Sequence, residues 1–81
     1  MVKDKPARGS PMRISQAAQA AGVSRQTVEY YIMLGLIAPI RTPRGGRLFD
    51  AALIRRIRLV RKLNRSGYTL RSIRETYLNG R

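Results

Sequence analysis

A single glycine between two short helical segments constrains this chain more than any other feature. Residues 16–21 (QAAQAA) are Ala-rich and favour a helix, and Ser15 stands where an N-cap belongs. Gly22 interrupts the run at a point where a sharp turn calls for a positive φ. Ser24 then caps a second helix, predicted over Arg25–Met33 and closed by Gly35. Ala18 is small enough to let two helices cross closely, and Val23, Val28 and Tyr31 can fill the space between them. The segment Ile14–Tyr31 therefore reads as two helices joined by a tight turn, the helix-turn-helix arrangement. Many helical hairpins share so short a pattern, and alone it is a weak signal.

Leu36–Arg41 is apolar and contains Pro39, which predicts an extended segment. Thr42-Pro43-Arg44-Gly45-Gly46 is a turn, and Arg47-Leu48-Phe49 returns as a strand to make a small hairpin. Asp50 caps a longer helix over Ala51–Ser66, closed by Gly67, with Leu53, Ile57, Val60 and Leu63 as its core stripe. Arg55, Arg58, Lys62 and Arg65 form a second stripe on the opposite face, either an ordinary solvated face or a phosphate-facing one. Arg56 falls at the edge of the apolar stripe, where it either snorkels or pairs with Glu75 or another acid. Thr69 caps a last helix over Leu70–Leu78, with Leu70, Ile73 and Tyr77 inward. The predicted fold is mainly α: a winged helix-turn-helix of four helices and a two-stranded hairpin wing. Residues 1–12 form a flexible basic arm, residues 13–78 the folded domain, and residues 79–81 its C-terminal end.

Charge narrows the function. Lys and Arg number 17 against four acids, a formal net charge of +13, and all but three of the bases are Arg. Such a field draws in polyanions, and clustered bases bind nucleic acid by releasing its counterions. The planar guanidinium suits phosphates and guanine edges. Cys and His are both absent, which removes disulfides, thiolate chemistry, the usual general base and the commonest metal ligands. With four scattered acids the inventory fits neither an enzyme nor a metal site, and no cofactor is expected. No apolar run approaches a membrane span, so the chain is expected to be cytoplasmic.

The binding residues are set by placement. The second helix offers Arg25, Gln26, Thr27, Glu29 and Tyr30 outward. Arg can fork onto guanine and Gln onto adenine, while Thr and Tyr hydroxyls suit phosphate oxygens. Arg41, Arg44 and Arg47 flank the Gly-Gly turn of a hairpin that reads as a wing, able to reach a backbone or minor groove beside that helix.

These motifs together resemble the DNA-binding domain of the MerR family of bacterial transcription regulators over residues 12–78. Gly22-Val23-Ser24 leads to Thr27-Val28 and the paired Tyr30-Tyr31, and then to Gly35-Leu36-Ile37 and Pro39. Arg41…Gly45-x-Arg47-x-Phe49-Asp50 is similar to the family's wing, and Gly67-Tyr68-Thr69-Leu70…Ile73 to the joint between its last two helices. The resemblance implies a double-stranded DNA partner, a promoter or operator, and RNA polymerase as a possible second one. It places DNA contacts on Arg25, Gln26, Thr27, Tyr30 and Tyr31, on Arg41 and Arg47, and on Arg61 with Asn64 or Arg65, with Tyr31 mainly in the core.

The chain departs from the family's pattern at three positions. Glu29 stands where an Arg is common; it either accepts from a cytosine amino group or pairs with Arg25 one turn back, the preferred reading. Ile32 replaces an acid, which predicts a more buried or stickier face, and Gly46 replaces a wing aromatic, which predicts a looser tip. The sequence ends at Arg81 without the heptads of a dimerising coiled coil. A monomer free in solution is expected, with side-by-side binding on DNA. The alternatives are an excisionase-like or architectural DNA-binding factor and a module for an acidic protein partner.

Overall fold

The structure, a computed structural model, describes residues 11–76 in full and the backbone of 77–78. Its elements run α1 (Ile14–Ala21), α2 (Arg25–Met33), β1 (Ile40–Arg41), β2 (Arg47–Leu48), α3 (Ala51–Arg65) and α4 (Leu70–Ile73), the last running on into a wider π-type turn over Arg74–Leu78. The four helices and antiparallel hairpin are the winged helix-turn-helix that the sequence predicts. Most of the arm, residues 79–81 and the Tyr77 side chain lie outside the described residues.

Local chemistry accounts for most boundaries. Ser24 Oγ accepts the Thr27 N–H at 3.0 Å, Asp50 accepts from Leu53 at 2.9 Å and Thr69 Oγ1 from Ser72 at 3.0 Å, so three helices begin on side-chain caps. Gly22 closes α1 at φ +77, in the left-handed region, and the Val23 N–H bonds back to Ala18 O at 3.0 Å. The first helix begins earlier than Ser15 predicts. Arg13 is its N-cap, and its N–H donates to Gln16 Oε1 at 3.3 Å, leaving Ser15 inside the helix. Non-local pairing contributes to that start: Met12, assigned to the arm, exchanges backbone hydrogen bonds with Phe49 at 2.9 and 2.8 Å. The chain thus enters α1 from the edge of the wing. At the other end, the last helix is regular only to Ile73 and then widens.

The core lies where α1, α2 and α3 meet. Ala17, Ala18 and Ala21 give α1 a small-residue face against both neighbours. Val28 and Tyr31 of α2, Ile57 and Val60 of α3 and Ile73 of α4 are buried beside it, with Phe49 at 0% exposure the largest of the fully buried side chains. Leu36 and Ile37, just after Gly35, are buried as well, which ties the extended segment down before it enters the wing. Leu53 and Leu63 of the predicted stripe are only partly buried; Val23 and Ile32 also pack partly buried against the core.

In the hairpin Ile40 pairs with Leu48 and Arg41 with Arg47. Its tip is not loose. The Thr42 N–H donates to Gly46 O at 3.1 Å, the Gly45 N–H to Thr42 O at 2.9 Å and the Gly46 N–H to Thr42 Oγ1 at 2.8 Å. A Cβ at Gly46 would lie 3.1 Å from Thr42 Oγ1. The missing side chain therefore spares the Thr42 hydroxyl a tight contact where it closes the turn.

Phe49 joins the wing, the entry to α1 and the core, in a domain whose size leaves a thin stability margin. Phe49→Ala is expected to cost about 3–5 kcal/mol. Urea denaturation tracked by far-ultraviolet circular dichroism measures it, and a loss below about 1 kcal/mol would show that Phe49 is not central.

Candidate nucleic-acid interface

The N-terminal half of α2 is the exposed edge of the helix-turn-helix. Arg25 and Gln26 are exposed and Tyr30 keeps about half its surface, at 48%. Thr27 is partly buried, and its hydroxyl lies 2.9 Å from Ser24 Oγ, so the cap and the first turn form one hydrogen-bonded unit. Tyr31 faces inward with 5% exposure. Burial pushes its phenol pKa up, and the nearby Arg61 charge opposes that shift. The expected placement of Tyr31 in the core is thus seen.

A shallow hollow of about 590 Å³ lies beside this edge. It brings Ser24, Thr27, Tyr30 and Tyr31 together with Arg61, Asn64 and Arg65 of α3, residues about thirty or more positions further along the chain. Arg61 Nη1 donates to Gly22 O at 2.7 Å, so one base of the hollow also holds the turn of the helix-turn-helix. Asn64 Nδ2 donates to Tyr68 O at 2.8 Å and fixes the turn after α3. Arg65 is exposed. Arg41 and Arg44 are exposed on the wing, outside this hollow.

Glu29 does not bond to Arg25, as its sequence neighbourhood suggested. It accepts a two-pronged bond from Arg47 of the wing, Nη1 to Oε1 at 2.9 Å and Nη2 to Oε2 at 2.8 Å. The partner lies 18 residues away, and only the return of the hairpin brings it to α2. Arg47, placed among the wing's DNA contacts, therefore sits as a strut between wing and recognition helix. Its hydrogen bond holds the Glu29 carboxyl below the ordinary glutamate value, with burial opposing and the charges of Arg47 and Arg25 adding smaller downward pulls. The Arg47 guanidinium is pushed up by the same bond.

Two structural arginines escaped the sequence reading. Among the described residues Arg56 pairs with no acid; its Nε donates to Leu36 O at 3.1 Å. Arg74 Nη1 donates to Leu34 O, also at 3.1 Å, and lies against Gly35, whose φ is +80. Both guanidiniums bind carbonyls at and just past the end of α2, where helix carbonyls lack intrahelical partners. The position of Arg56 on the edge of an apolar stripe was its one signal; Arg74 carried none. Among the described residues no group of three or more His, Cys, Asp and Glu could hold a metal ion, and no helix is long and apolar enough to cross a membrane.

A capped, exposed helix, a wing braced against it and a basic hollow at its side define a winged helix-turn-helix protein. Residues 12–79 match the model of the MerR HTH family regulatory proteins, and the chain belongs to that family. It is 36% identical over 62 residues to the mercuric resistance operon regulatory protein of Bacillus cereus, covering 75% of this chain and 47% of that protein. It is 33% identical over 67 residues to the HTH-type transcriptional regulator CueR of Bacillus subtilis (strain 168), covering 83% and 47%. Among solved structures it superposes, with a TM-score of 0.74 and 26% identity, on HiNmlR, a MerR family regulator lacking the sensor domain, bound to promoter DNA. That match covers 80% of this chain and 50% of the other. The chain thus spans about half the length of these relatives.

The Glu29–Arg47 pair has a definite pH signature. Because the folded pKa of Glu29 lies below its ordinary value, the pair's contribution is present above that ordinary value and is lost as pH falls through the lowered one. Carboxyl-carbon NMR titration of Glu29 is expected to show a midpoint below 4.5, returning toward it in Arg47→Ala. An identical midpoint in the two proteins would contradict the pairing.

Proposed function

We propose that this chain is the DNA-reading module of a bacterial transcription regulator, with α2 in the major groove of a promoter or operator duplex. The observation that carries this reading is the hollow that joins the first turns of α2 to Arg61, Asn64 and Arg65 of α3, with the wing braced against α2 through Arg47 and Glu29. Arg25 and Gln26, exposed in the first turn of α2, read base edges, Arg onto guanine and Gln onto adenine. Thr27, Tyr30 and the rim of Tyr31 lie against phosphates together with Arg61 and Arg65. Arg41 and Arg44 reach the neighbouring backbone from the wing. Arg47 sets the angle between wing and helix through Glu29, which in turn is held by that pair rather than offered to a cytosine.

The promoter-bound relative supports a regulator over an excisionase-like factor. At a promoter the second partner is RNA polymerase, and the place of action is the nucleoid in the cytoplasm.

Selection from a random duplex library tests the reading directly: enrichment of one motif is expected, and unenriched binding would sink it. On the selected site, Gln26→Ala is expected to lose roughly 1–3 kcal/mol of discrimination at one base pair. Equal loss on cognate and random DNA would show that Gln26 is no reader.

Wing variants separate clamp from strut. Arg41→Ala is expected to flatten the salt dependence of binding by about one charge. Arg47→Ala leaves the Glu29 carboxylate unpaired beside the duplex. It should therefore bind more weakly than the Glu29→Gln/Arg47→Ala double variant, as measured by fluorescence anisotropy. Equal affinities would show that the pair has no part in binding.

A further inference from the structure

The outer face of α3 carries a basic surface of which the contacts proposed above use only Arg61 and Arg65. Arg55, Arg58, Lys62 and Arg65 succeed one another at intervals of three, four and three residues, and Arg55, Arg58 and Arg65 are exposed. That spacing stacks them in one row on a helix, about 15 Å from first to last at 1.5 Å per residue. The row borders an open groove of about 820 Å³, where α3 faces Ala21 at the end of α1. The residues lining it include five bases and no acid. Among the described residues the ion pairs are Glu29–Arg47 and Arg71–Glu75, and neither engages this row. Like charges one helical turn apart repel, so the row is a local cost that an anion would relieve.

Two observations identify that anion. Arg61 and Arg65 line both this groove and the hollow beside α2, so the basic surface continues without a break from the recognition helix onto the flank of α3. Its length also suits a backbone: about 15 Å covers two or three successive phosphates of one strand. We propose that Arg55, Arg58 and Lys62 form a second phosphate-backbone site, taking up DNA that flanks the segment read by α2. This inference rests on the reading that α2 faces the duplex. The flanking DNA then runs along α3, with the exposed Leu59 in the groove wall contacting no base. Affinity from this site is indifferent to sequence and depends on how far the duplex extends.

The test uses two duplexes carrying the selected site, one trimmed to it and one extended by about one helical turn, roughly 10 base pairs, on each side. Binding of the wild type and of Arg55→Gln/Arg58→Gln/Lys62→Gln is measured by fluorescence anisotropy from low to moderate salt. Circular dichroism checks that the variant is folded. The wild type is expected to bind the long duplex more tightly than the short one and with a steeper salt slope. The triple variant is expected to lose that gain, its slope on the long duplex falling by up to about 2.7, or about 0.9 per phosphate contact. A loss equal on both duplexes would report only the change in overall charge and overturn the proposal, as would a variant matching the wild type on the long duplex. If the wild type binds the short duplex and gains nothing from length, the flank site falls while the reading of α2 stands. If it binds neither duplex, that reading falls first and takes the flank site with it.

Discussion

A helix of nine residues has few internal hydrogen bonds, and on its own it would be marginal in water. Everything this domain presents to a ligand depends on how α2 is held by its surroundings. Its N-terminus is closed by Ser24, and the turn before it is held by the Arg61–Gly22 bond. Its middle is gripped by Arg47 through Glu29, and the carbonyls at its far end by Arg74 and Arg56. Beneath it, Val28 and Tyr31 pack on the small-residue face of α1. Four guanidiniums from the wing, α3 and the last turn thus fix a short helix that the thin core could not orient alone. The guanidinium suits this work because its charge is permanent and its planar fork can donate to more than one acceptor.

The arginine excess consequently has two meanings. Arg47, Arg56, Arg61 and Arg74 are bonded within the fold, and Arg61 also faces the hollow beside α2. Arg25, Arg41, Arg44, Arg55, Arg58 and Arg65 are exposed. Net charge sets the long-range attraction to DNA whichever group a given Arg belongs to, since the field sums over all of them. The contacts proposed for DNA draw only on the second group and Arg61. An argument from composition alone reaches the attraction and misses the division of labour.

What was legible in the sequence was local. Ser24, Asp50 and Thr69 act within three residues of themselves, and Gly22 within its own turn, so caps and breaks could be placed from residue type. The order of helices and wing followed from the same local signals, and the family signature agrees with it. What escaped reading was non-local. The start of α1 moved because Met12 pairs with Phe49, 37 residues later, and the partners of Glu29, Arg56 and Arg74 are 18, 20 and 40 residues away. Glu29 beside Arg25 on one helix looked self-sufficient, since such pairs are common at that spacing. The wing offered a two-pronged donor instead, a geometry that a neighbour on the same helix rarely matches. Gly46 misled for a related reason: loss of a side chain reads as loss of packing until the Thr42 hydroxyl is seen in its place.

The Glu29–Arg47 bond adds little to stability for a pair so open to solvent, with side chains 41% and 28% exposed. Its effect is on orientation. The wing is a two-residue ladder, and such short hairpins do not hold their direction unaided. Two parallel hydrogen bonds to a residue on α2 remove that freedom before any ligand arrives. An interface ordered in advance loses less entropy on binding, so in the proposed complex the strut would turn a weak ion pair into a gain in affinity. It also neutralises the one carboxylate that α2 carries toward a polyanion. An acid at this position is tolerable on the helix proposed to face DNA because the wing supplies its counter-charge, and the same bond that cancels the repulsion aligns the two elements that would embrace the duplex.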